Sequence, residues 1–153
     1  MLPVNLGLAA NFVILSSNTQ VVCRAYEAIA GDPTSADLAA AVIDMEAAYE
    51  DAATRTNTDE ARINLGITPS PYFFHLGSKT SRPWTLTPGV YTFNDNLQII
   101  GDIHFQGSAT DIFIIQIAGN LNLSASSQVL LKSSTPKAKN IFWQVAGKVT
   151  VGA

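Results

Sequence analysis

The last stretch of the chain is a variant copy of the stretch before it, and this repetition restricts the available folds more than any other feature. Phe113 to Ala125 (FIIQIAGNLNLSA) lies over Ile141 to Ala153 (IFWQVAGKVTVGA) at an offset of 28 residues, 141 against 113. Gln, Ala, Gly and a final Ala are identical, and every apolar position stays apolar. An earlier copy places Tyr91, Phe93, Leu97 and Ile99 over Ile115, Ile117, Leu121 and Leu123, with Asn96 over Asn120. A third segment also recurs, Ile103-His104-Phe105 over Val129-Leu130-Leu131. Three short strands per repeat, at a period in the twenties, predict a three-sided β-solenoid in which each coil buries its apolar face by stacking on its neighbours.

Alternate residues of a strand point to opposite faces, so each side acquires an inside and an outside. On the second side, Leu97, Ile99, Leu121, Leu123, Val149 and Val151 are expected inward. Asn96, Gln98, Asn120, Asn122, Ser124, Lys148 and Thr150 are left outside, a polar row with little charge. On the first side both alternating sets are apolar: Ile115 and Trp143 suit the core, while Ile114 and Phe142 face out and require a cover.

The cover is supplied by an acidic middle segment that reads as a helix from about Ser35 to about Arg55. Thr34 to Asp37 has capping-box spacing, and Pro33 is expected to stop backward extension. Leu38, Ala41, Val42, Met45, Tyr49 and Ala52 recur at helical spacing, with Asp37, Asp44 and Asp51 on the opposite face. The segment that follows, with Pro69, Pro71, Pro83 and Pro88 among glycines, reads as an extended connector. Coils are therefore expected from about residue 90 to 153. The fold class is mostly β with one long α-helix, and 153 residues suit a single domain.

Charge excludes several partners. The chain carries 9 basic and 12 acidic residues, and nine of the acids fall between Glu27 and Glu60. No basic cluster is dense enough to track a phosphate backbone, so nucleic acid is not an expected partner. Charged residues make up 14% of the chain against roughly 25% in an ordinary soluble domain. Yet no apolar run approaches the roughly 20 residues of an integral membrane segment. The apolar Leu6 to Leu15 lacks a preceding basic residue, is not a convincing signal peptide, and reads as a strand. With Cys23 alone and only His75 and His104, no cofactor or metal site is expected.

An enzyme on such a scaffold needs paired carboxylates, or a base beside a carboxylate. Asp102 and His104 alternate on one strand, but the repeat places no further acid or base beside them. Cys23 with either histidine lacks a third, orienting group.

The quoted repeats carry a resemblance to the microbial ice-binding protein family, β-solenoids with a long helix alongside. Val4-Asn5-Leu6-Gly7, Ala10-Asn11-Phe12 and Ile14-Leu15 match its start, and Asp44-Met45 with Ala48-Tyr49 its helix. Pro88-Gly89-Val90-Tyr91, Asp111-Ile112-Phe113, Gln116 to Gly119 and the specific block Ala138 to Gly147 complete the match. The family usually carries a further block between its first strand and its helix, and further coils beyond the position of Ala153. Relative to that pattern the chain is shortened. The resemblance implies a secreted, non-catalytic protein whose partner is the ice surface, slowing ice growth or recrystallisation. It assigns the ice-contacting role to the side carrying Gln98, Asn122 and Thr150, with Asn96, Asn120, Ser124 and Lys148 beside them. Asn18 and Thr19 match a segment that extends that side. A cell-surface adhesion or scaffold module would use the same solenoid without affinity for ice.

Overall fold

A computed structural model of the chain describes residues 1–5, 33–70, 73–76, 84–125, 127–132 and 136–152. The strand expected at Leu6 to Leu15, together with Asn18, Thr19 and Cys23, lies outside them. Among the described residues one helix, α1 (Pro33–Thr54), precedes eleven strands. These are β1 (Ile67–Ser70), β2 (Phe73–Leu76), β3 (Trp84–Leu86), β4 (Gly89–Phe93), β5 (Asn96–Ile99) and β6 (Ile103–Phe105). Then come β7 (Phe113–Ile117), β8 (Leu121–Leu123), β9 (Val129–Leu131), β10 (Ile141–Val145) and β11 (Val149–Val151).

The strands form three sheets, in the orders β10-β7-β4, β1-β2-β5-β8-β11 and β3-β6-β9, which are the three sides of a β-solenoid. Every pairing is parallel except β1 with β2. The register follows the sequence repeat: Phe113 pairs with Ile141, Leu121 with Val149, Tyr91 with Ile115 and Ile103 with Val129. Inward residues of the three sides meet in one core, including Phe93, Leu97, Phe105, Phe113, Ile115 and Ile117. Phe105 lies edge-on to Phe113, with ring centroids 5.0 Å apart, and Trp143 extends this aromatic stack into the last coil.

Two boundaries differ from the expectation. The coils begin before residue 90, because β2 and β3 of the supposed connector pair in parallel with β5 and β6. A linear reading takes the prolines and glycines of this stretch for a linker, although β2 and β3 belong to the coils. The helix also begins at Pro33, so Thr34 lies inside it rather than capping it. Proline is tolerated at a first helical position because the N–H it lacks has no partner in the helix there. Among the described residues no helix is long and apolar enough to cross a membrane.

The helix docks on the first side, over the outward apolar row. Ala48 and Ala52 pack with Val90, Ile112, Ile114, Phe142 and Val4 in a second buried cluster. Ala41 is buried in the same stripe, whereas Val42, assigned to the buried face from sequence, is 42% exposed. Alanines bring the helix close to the sheet, and the seam is therefore narrow. The neighbouring outward row is polar and in register, Thr92 with Gln116 and Gln116 with Gln144. Gln116 uses it to hold the helix end: its Nε2 donates to the carbonyls of Ala52 (2.8 Å), Ala53 (3.2 Å) and Arg55 (2.7 Å). These are groups that a helix C-terminus leaves without internal partners. Its Oε1 accepts from Thr92 Oγ1 at 2.8 Å.

The free edge of β4 is closed by the segment around Glu60–Arg62, a single 3-10 turn. Ile63 bridges Thr92, and Asn64 N donates to Thr92 O at 2.7 Å. Arg62 donates to Pro88 O and Thr87 Oγ1, and lies over the Tyr91 ring at 5.2 Å. Gly89, at φ 145°, is the residue this guanidinium passes, and any Cβ there would collide with it.

Candidate functional site

The second side is the widest sheet, and the helix lies against the first side. Leu76, Leu97, Ile99 and Leu121 are buried beneath it. Between these inward residues, strand alternation turns His75, Gln98, Asn122 and Thr150 outward. Register makes them one row: His75 pairs with Gln98, Gln98 with Asn122 and Asn122 with Thr150. Parallel strands set successive members roughly 4.8 Å apart. His75, Gln98 and Asn122 are half-buried and Thr150 is exposed. The row contains no carboxylate and presents polar groups at a spacing set by the parallel pairing.

Three of the four residues were legible from the sequence, and His75 was not. Phe73-Phe74-His75-Leu76 lies over Asn96-Leu97-Gln98-Ile99 at an offset of 23, 98 against 75. That repeat was the available signal, hidden by the prolines around it.

The remaining predicted residues divide by position. Asn96, Asn120 and Lys148 stand at the corner where the chain enters β5, β8 and β11. Asn96 Oδ1 accepts from Asn120 N, and Asn120 Oδ1 accepts from Lys148 N, each at 2.7 Å. Both carboxamide oxygens are therefore turned to the next coil rather than to the outer face alone. Lys148 is exposed and stands last in this series. Ser124 closes β8 at the opposite corner, half-buried, its N–H donating to Ile99 O at 2.9 Å.

Asp102 Oδ1 accepts from Gln128 N at 3.0 Å, another bond between coils, while His104 stands on the third side in register with Thr85 and Leu130. The described residues contain no group of three or more His, Cys, Asp or Glu able to hold a metal.

A family model described as ice-binding-like matches residues 5–153. The chain belongs to the ice-binding-like family. An ice-binding protein of Flavobacterium frigoris (strain PS1) is 36% identical over 184 residues, covering 98% of this chain and 61% of that protein. One from Flammulina populicola is 38% identical over 138 residues, covering 90% and 50%. The crystal structure of a glycosylated ice-binding protein from an Arctic yeast superposes with a TM-score of 0.65 at 32% identity, over 78% of this chain and 46% of that one. The chain thus spans about half the length of these family members. The likeness fits the coordinates, because three parallel sides and one helix alongside are what the register and docking establish.

Proposed function

We propose that this chain adsorbs to ice through the outer face of β2, β5, β8 and β11 and so slows ice growth or recrystallisation. The observation that carries the reading is the in-register row His75, Gln98, Asn122 and Thr150, on a side that the helix leaves open in a member of the ice-binding-like family. Ice is built from the solvent, so a surface that recognises it must hold water in an ice-like array. Strongly hydrated charges oppose that, whereas small polar groups at a spacing fixed by backbone hydrogen bonds favour it. No regular threonine ladder is present, and Gln98 and His75 are bulky, so the expected activity is modest. Asn18 and Thr19 belong to the same proposed face by family likeness. The place of action is outside the cell, where growing ice meets it, and no catalytic step is involved.

The test is to cool a dilute solution of the folded chain around a single ice crystal. Facets on the crystal and slower coarsening of polycrystalline ice are the expected result. A chain shown to be folded by circular dichroism that leaves crystals round and coarsening unchanged would overturn the proposal and favour an adhesion or scaffold module.

A further inference from the structure

We infer that Asn96 and Asn120 are positioning residues, locking successive coils so that the outward row on the second side keeps a fixed spacing; this rests on the ice-adsorption reading. The two make the same bond one coil apart: Asn96 Oδ1 takes the N–H of Asn120, and Asn120 Oδ1 takes the N–H of Lys148. Each bond sits two residues before a member of the contact row, since Asn96, Asn120 and Lys148 precede Gln98, Asn122 and Thr150. The backbone bonds that follow, Leu97 N to Asn120 O (2.8 Å) and Leu121 N to Lys148 O (2.9 Å), run between the same coils. Side chain and main chain therefore clamp each strand where it begins.

Glycine makes room for the clamp. A Cβ on Gly119 would stand 2.6 Å from Asn96 Oδ1, and one on Gly147 would stand 2.5 Å from Asn120 Oδ1 and 2.7 Å from Gly119 O. The recurring glycine before Asn120 and before Lys148 is explained by this close approach. Lys148 carries no side-chain acceptor, so the series stops with it.

The experiment compares Asn120→Ala, Asn120→Asp and Gly147→Ala by amide hydrogen exchange in liquid buffer and by adsorption to ice. Aspartate keeps the oxygen acceptor and loses the amide donor. In Asn120→Ala the Lys148 amide should exchange about fivefold faster or more, from loss of one hydrogen bond, and ice adsorption should fall. Asn120→Asp should restore Lys148 protection and recover much of the adsorption. Gly147→Ala should behave like Asn120→Ala. Equal Lys148 protection in wild type and Asn120→Ala, or equal loss in the alanine and aspartate variants, would overturn the inference. If adsorption instead follows the carboxamide itself, Asn120→Asp loses it despite a protected Lys148, and Asn120 is then a contact residue rather than a positioning one. Should Asn120→Ala fail to fold, Asn96→Ala reads the same lock one coil earlier, at the Asn120 amide. A folded wild type without ice adsorption would remove the ice reading, while the amide pattern would still decide the lock.

Discussion

From β4 onward the first and second sides are built by the same coils, with parallel pairing and apolar inward residues on both, yet only one is covered by the helix. What separates them is the outward row. On the first side it is Val90, Ile114 and Phe142, all buried beneath Ala48 and Ala52. On the second it is His75, Gln98, Asn122 and Thr150. A strand with two apolar faces must be enclosed on both, whereas one with a polar outer face can meet solvent. The chemistry of one residue in two thus decides which side docks the helix and which the helix leaves uncovered.

Exchanging the chemistry of the rows should have the largest effect. Phe142→Asp puts a charge with no partner beneath the helix and should cost about 3–5 kcal/mol, measured by chemical denaturation. Asn122→Asp, which brings the same charged residue onto the open side, should stay within about 0.5–1 kcal/mol. Equal costs would mean that the two sides do not differ in burial as described. Gln116→Ala tests the polar fastening of the covered side. It leaves the carbonyls of Ala52, Ala53 and Arg55 without their side-chain donor and should cost about 1–3 kcal/mol, with faster exchange in the last turn of α1. The helix should stay docked, because the apolar seam remains.

The smallest effect concerns pH. Asp51 and Arg55 pair at 2.8 Å, and the hydrogen bond from the guanidinium holds the Asp51 carboxyl below its ordinary value. A lowered folded value adds stability above the carboxylate's ordinary range, and this is lost as pH falls through the folded value. Asp51 is 40% exposed, so solvent screening keeps the contribution to a few tenths of a kcal/mol at about pH 7. Asp51→Asn should flatten the acid side of the stability profile by about that much.

Much of this architecture was legible because a solenoid writes its contacts into the sequence as a fixed offset. Phe113 to Ala125 registers on Ile141 to Ala153 from four identities and matched apolar positions, and the two apolar faces of β7 and β10 call for a cover. Burial of Ile114 and Phe142 under α1 met that need. The first coil is hidden in the sequence because closely spaced prolines signal a turn between strands as readily as a linker, and β2, with His75 on it, falls in that proline-rich stretch. The clamp was hidden for a different reason. Strand alternation places Asn96 and Asn120 outside, but it cannot report that a short carboxamide reaches across a corner to the next backbone N–H. Nor does helical spacing show that alanines, rather than Val42, make the helix seam.

The most direct test of the open side as the binding side is a paired comparison of ice adsorption by Asn122→Tyr and Leu130→Tyr. Asn122 stands in the middle of the second-side row, while Leu130 is exposed on the third side in register with His104. Both variants should unfold at nearly the wild-type denaturant concentration, because strand alternation turns both positions away from the core. Asn122→Tyr should lose most adsorption to ice, and Leu130→Tyr should retain it. Full adsorption by Asn122→Tyr, or a loss in Leu130→Tyr as large as that in Asn122→Tyr, would contradict the assignment of the binding face to the second side.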